Sequence, residues 1–195
     1  MGQRVAAEHF AGVVERGSFE GPPPDGTASF ESGRAMLRAV MGRGGAEQML
    51  ANASLAVAQE PADGHWRDFA LWLLAIAKLT NGDPAGVDEL MADAVATARR
   101  AGNVGIASCA VGHRAMVAAD LGDWTKAAAL LSEVDARAVA QLGGYPSAAP
   151  LFAVRIRLAM RRGDVAAARQ ELANLVLLRP TLAAQAAFAV PSLMG

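Results

Sequence analysis

Following Asp83, apolar residues fall at Val87, Leu90, Met91, Ala94, Val95 and Ala98, the i, i+3, i+4, i+7, i+8, i+11 spacing of one helical face. The same face returns after Asp123, at Ala127, Leu130, Leu131, Val134 and Ala138, and after Asp164, at Val165, Ala168, Leu172, Leu175 and Val176. Asp88, Asp93, Arg99, Glu133, Arg169 and Glu171 fall on the other side of these stretches. The pattern predicts three amphipathic helices, each covered on one side and wet on the other, forming an outer layer.

The stretches that precede them are patterned differently. Trp66, Phe69, Leu71, Trp72, Leu73, Leu74, Ile76 and Leu79 surround nearly the whole circumference of a helix, so this segment is expected to be an inner helix, covered on several sides. Residues 106–121 and 148–160 hold the corresponding places further on, with more alanine and with His113, Arg155 and Arg157 interrupting the apolar surface. Nowhere does a sustained apolar/polar alternation bounded by turns predict a strand.

Between each inner and outer stretch stands a Gly-Asp pair: Gly82-Asp83, Gly122-Asp123 and Gly163-Asp164, spaced 40 and 41 residues apart. Glycine takes the left-handed conformation that ends a helix, and the Asp that follows can accept hydrogen bonds from the free amides of the next. Pro84 supports the second role, since proline suits a first helical position. A fixed period of this length is the mark of a stacked helical hairpin. A weaker unit lies upstream, with helices at 30–40 and 49–59 around Gly42-Arg43-Gly44-Gly45.

The expected fold is therefore all-α, a tetratricopeptide-like αα-hairpin solenoid with a right-handed superhelix, about four hairpins long and flanked by partial repeats. Residues 1–20 form the helix of a preceding partial repeat, and 21–29 a linker, since Pro22, Pro23 and Pro24 forbid a helix there. Residues 30–180 form the repeat domain, stopped by Leu178-Arg179-Pro180. Residues 181–195 hold an unpaired last helix, whose Ala183, Ala184, Ala186, Ala187, Phe188, Ala189 and Val190 are apolar where a solenoid normally carries a polar cap. Self-association through that helix is one expectation.

Composition narrows the class. With 53% hydrophobic residues and a net charge of −1, the chain is too apolar and too neutral to be disordered. Cys109 is its single cysteine, so no internal disulfide can form. The longest apolar run, 69–77, is nine residues, far short of the roughly 20 that a spanning helix needs. Met1-Gly2-Gln3-Arg4 leads into polar residues rather than an apolar stretch, and Ala6 breaks the myristoylation pattern that Gly2 begins. A cytoplasmic protein with no membrane partner is expected. The small net charge conceals an uneven distribution: residues 46–144 carry −5, residues 145–195 carry +4 and the first 45 balance.

Catalytic, cofactor and metal motifs are not found. Neither Lys78 nor Lys126 follows a phosphate-binding glycine loop, and Gly42-Arg43-Gly44 meets Glu47 where a dinucleotide fingerprint needs its third glycine. Cys109 and His113, spaced i, i+4, share a helix face and are the sharpest candidates for thiol catalysis or a metal. A structural zinc wants four ligands, however, and His9 and His65 lie in distant segments. The pair is read as a core cysteine beside a satisfied histidine, and no enzyme is expected. Trp66 and Trp72, six apart, are read as core rather than as a ligand cage, and Tyr145-Pro146 as a loop. Arg155, Arg157, Arg161 and Arg162 form a basic cluster without interleaved aromatics, read as ion-paired or solvated rather than as a DNA-binding surface.

Several segments together resemble one known family. They are Pro23-Pro24-Asp25-Gly26-Thr27-Ala28-Ser29-Phe30-Glu31 leading into Gly33-Arg34-Ala35-Met36-Leu37-Arg38, then Ala70-Leu71-Trp72-Leu73-Leu74, the turn Arg162-Gly163-Asp164-Val165-Ala166-Ala167-Ala168-Arg169, and Leu178-Arg179-Pro180. They are similar to the tetratricopeptide-like helical region of the large LuxR-family, MalT-like ATP-dependent transcriptional regulators. The resemblance covers nearly the whole chain and rests mostly on packing residues. It implies a non-enzymatic sensor or binding module taking a protein, peptide or small inducer in a concave groove. The family's ATPase and helix-turn-helix residues have no positions here to map onto. The alternative is an interaction scaffold unconnected with transcription.

Overall fold

In a computed structural model, which describes residues 2–134 and 146–177, the Gly-Asp pairs lie between consecutive helices. Gly82, Gly122 and Gly163 have φ of +74°, +82° and +74°, the left-handed region open to glycine without steric cost. The N–H groups of Asp83, Asp123 and Asp164 donate back across the glycine to the carbonyls of Lys78, Ala118 and Ala159, at 2.9, 2.8 and 2.9 Å, closing each helix as a Schellman turn. The same aspartates then face forward. Asp123 Oδ1 accepts from Lys126 N and Asp164 Oδ1 from Ala167 N, each at 2.9 Å.

All the regular structure among the described residues is helical: α1 (Gly2–Arg16), α2 (Phe30–Met41), α3 (Gly45–Gln59), α4 (Arg67–Thr80), α5 (Val87–Ala101), α6 (Val104–Asp120), α7 (Trp124–Ser132), a 3-10 turn at Pro146–Ala148, α8 (Ala149–Arg161) and α9 (Val165–Leu177). None of these helices is long and apolar enough to cross a membrane. The chain forms two compact units, residues 1–97 and 98–195.

In the first unit α2 and α3 form a hairpin, and α4 packs against both, while α1 lies against α2. Ala35, Met36, Ala39, Met49, Ala53, Ala56, Leu71, Trp72 and Leu73 are buried here. In the second unit α6 and α7 form a hairpin, α8 packs against both, and α9 pairs with α8. Ala110, Val111, Leu151, Phe152 and Val154 are buried in this unit. Small residues bring the helix axes close, as at Gly112, where an added Cβ would meet the backbone of Leu151.

The expected faces are followed closely in α5, whose Val87, Met91, Ala94, Val95 and Ala98 are buried, and in α7, whose Ala127, Leu130 and Leu131 are buried. Two details differ. Helix α5 begins at Val87 rather than at Pro84, because Gly86 (φ +69°) interposes a second left-handed residue. On α9 only Ala168 of the expected face is buried, while Val165, Leu172 and Val176 are exposed. Ala138, Tyr145, the 178–180 stop and the 181–190 helix lie outside the described residues.

The proline-rich linker is tied down along its second half. Asp25 Oδ1 accepts from Thr27 N and Oγ1, and the Trp66 indole donates to Asp25 O at 2.8 Å. Ser29 caps α2 by accepting from Ser32 N at 3.0 Å. Buried Glu60, at the end of α3, accepts from Ala28 N at 3.0 Å and from the Ser32 hydroxyl.

Candidate functional site

Cys109 and His113 share a face of α6, as their spacing requires, yet the geometry does not make them a catalytic pair. His113 Nδ1 lies 2.8 Å from the carbonyl oxygen of Cys109. A carbonyl only accepts, so that nitrogen carries the proton and is committed to the helix backbone rather than to the sulfur. The thiol donates to Ser147 Oγ at 3.3 Å. Burial pushes the Cys109 thiol up to about 11, a little offset by the Ser147 bond, and pushes the His113 imidazole down to about 4 against the opposing effect of the Cys109 carbonyl. Both groups are neutral at pH 7, and a neutral buried thiol is a poor nucleophile. Among the described residues no cluster of three or more His, Cys, Asp or Glu side chains is placed to hold a metal.

Trp72 is buried, whereas Trp66 immediately precedes α4 and is half-buried. Phe69 joins them, edge-on to Trp66 with centroids 5.8 Å apart and stacked on Trp72 at 5.7 Å. The three rings form a ladder against the linker, and the indole N–H of Trp66 is spent on Asp25. Three of the four clustered arginines have partners. Arg155 pairs with Glu171 at 3.5 Å and Arg157 with Asp120 at 2.5 Å, and both Arg157 and Arg161 lie over the Trp124 ring, at 5.3 and 5.2 Å from its centroid. Arg162 is exposed.

A different place in the first unit has the makings of a binding site. A cavity of about 380 Å³ is lined from α1, α2, the α2–α3 turn and α3. Its polar wall includes Glu15, Arg38, Arg43 and Asn52, and its apolar wall includes Leu37, Met41 and Met49. Arg38 grips both oxygens of Glu15, with Nε 2.8 Å from Oε1 and 3.1 Å from Oε2, and Nη2 2.6 Å from Oε2. That bond holds the Glu15 carboxyl below the usual carboxylate range, outweighing desolvation. Arg43 Nη2 bonds Glu8, leaving its Nε and Nη1 without an acceptor among the described residues. Gly42, at φ +58°, ends α2 and sets Arg43 at the cavity rim.

Asn52 is the unusual member. It is only 6% exposed, and no hydrogen bond to it is found among the described residues. Its amide atoms are not among the fully enclosed side-chain polar atoms that lack a hydrogen bond, so they reach the open cavity. Periodicity alone expects an apolar residue here, because Met49, Asn52, Ala53 and Ala56 form the buried face of α3. A polar residue in an apolar stripe was the legible signal. Glu15, Arg38 and Arg43 carry none, because three elements bring them together. No protein-family model, curated protein or solved structure matches the chain.

Proposed function

We propose that this protein is a non-enzymatic helical-repeat binding module, a tetratricopeptide-like solenoid akin to the central sensor region of LuxR-family, MalT-like regulators. Three features support the repeat. The turns recur with the same glycine geometry and the same backbone bond, each unit stacks a third helix on both members of a hairpin, and small residues fill the contacts. Binding rather than catalysis is supported by the way the reactive groups are used. Cys109 and His113 are committed to Ser147 and to the α6 backbone.

The observation that carries the reading is the cavity of about 380 Å³ beside α3, whose lining sets Glu15, Arg38, Arg43 and Asn52 beside Leu37, Met41 and Met49. Concave sites of this size with a few convergent polar groups are the usual form of a small-molecule pocket. A thermal-shift screen of the purified chain against a diverse metabolite library tests the reading, with a dose-dependent rise in Tm expected for at least one compound class. A flat response to every compound would sink it.

A further inference from the structure

We infer that α1 is a hinged lid over the cavity, latched by ion pairs and opening as one unit while the α2–α3 hairpin stays folded. The inference rests on the binding reading above for what the opening admits, and adds how the site is reached. Ala11 is the only buried residue of α1 among those described, whereas Phe10 and Val13 are exposed. Little apolar area therefore holds the helix down. Its side-chain bonds to other elements, among the described residues, are ionic: Glu15 with Arg38 and Glu8 with Arg43. These four side chains are 33–45% exposed, and ion pairs so open to water contribute little to stability. Behind α1 the chain lacks anchors. Residues 18–22 make no hydrogen bond to another element among the described residues, and the first such bond reaches Asp25 from the Trp66 indole. Gly21, at φ +111°, lies within this stretch with open space around it.

Latch and cavity wall share residues. Glu15, Arg38 and Arg43 tie α1 down and also line the cavity, so release of the latch and opening of the site are one event. Arg34 and Arg43 add their attraction to that of Arg38 on Glu15, which makes Glu15 the centre of the latch. The hairpin below is held independently, since α4 packs on both α2 and α3 and Met36, Ala39 and Ala53 are buried there. Opening leaves that core intact. It turns Leu37, Met41 and Met49 of the cavity wall towards water, which favours closing again.

The test is amide hydrogen exchange of the full chain, read by mass spectrometry. At low salt, residues 11–16 are expected to exchange as a block, about tenfold faster than α2 and α3. Sodium chloride at about 0.5 M, which screens exposed charges, is expected to speed α1 exchange about threefold and leave α2 and α3 unchanged. Glu15→Gln should do the same without added salt, and the double variant Glu8→Gln/Glu15→Gln should lose the salt effect. Fraying from the amino terminus would instead leave residues 11–16 as protected as α2, and that result would overturn the lid. Exchange of α1 indifferent to both salt and Glu15→Gln would overturn it equally. A compound that raises the Tm of wild type but not of Asn52→Leu is expected to slow α1 exchange, and no slowing would overturn the gating role. Salt-dependent opening of α1 in a chain that binds no library compound would sink the binding reading and sustain the hinge and latch.

Discussion

Gly112 lets α6 approach α8 so closely that a Cβ built on it would lie 2.9 Å from both the Cβ and the backbone nitrogen of Leu151. Leu151 itself is fully buried, so neither side can withdraw cheaply. Gly112→Ala carries two opposed effects. Alanine gains up to about 1 kcal/mol in helix propensity, while the overlap with backbone costs roughly 1–3 kcal/mol. Overlap wins, and a lower Tm is expected. Gly105→Ala, on the same helix, meets only Asn103 Oδ1 at an ordinary 3.5 Å and is expected to be neutral or slightly stabilising. Equal stability of the two variants by denaturant titration would refute the close approach.

The aspartate caps should be separable by substitution. Asp123→Ala and Asp164→Ala each remove the acceptor for one free amide at the start of α7 and α9, with an expected cost of about 1 kcal/mol apiece. Asn103→Ala should behave in the same way, since Asn103 Oδ1 accepts from Ile106 N at 3.2 Å. Replacement of each by Ser should recover most of the loss, measured as the denaturation midpoint.

Asn103 shows where the sequence reading stopped short. Gly102 (φ +71°) and the Asn103 N–H, which bonds Ala98 O at 2.8 Å, repeat the Gly-Asp turn between α5 and α6. A search for Gly-Asp alone misses it, although Asn and Asp cap by the same chemistry. Helix faces and turns were legible because they depend on neighbours within four residues. The stitching of 25–29 to Glu60 and Trp66 was not, because those partners lie 32 and 41 residues away. The cavity was legible only at Asn52, the polar residue that breaks an apolar stripe. Arg43 read as a turn residue, and nothing local ties Glu15 to it.

Glu60 tests that stitching. Its Oε1 holds the Ala28 amide and the Ser32 hydroxyl, and the residue is buried. Glu60→Ala strands both donors and is expected to cost roughly 1–3 kcal/mol and to speed proteolysis within 21–29. Unchanged cleavage of that segment would show that Glu60 does not hold it.

His113 should make the protein acid-sensitive. Its folded-state pKa, pushed by burial from 6.5 to about 4, lies below that of the unfolded chain. Between these values the unfolded state takes up a proton that the folded state does not, so stability falls as pH falls through this window and is fully present above it. The largest loss is up to about 3 kcal/mol. The stability difference between wild type and His113→Gln should therefore shrink by up to that amount between about pH 7 and about pH 4.5. A difference that stays constant with pH would mean that the imidazole is solvated.

Cys109 should be silent towards thiol reagents. Its thiol is buried, donates to Ser147 and is neutral at ordinary pH, and modification requires an accessible thiolate. Native protein is expected to resist labelling near pH 8, where an exposed cysteine is substantially ionised, and to label fully once unfolded. Cys109→Ser keeps a donor for Ser147 in a slightly smaller side chain, so the fold should persist with a cost of about 1 kcal/mol. Rapid labelling of the native protein, retained by His113→Gln, would show that α6 opens locally. Rapid labelling abolished by that substitution would instead revive the thiol–imidazole pair and with it an enzymatic reading.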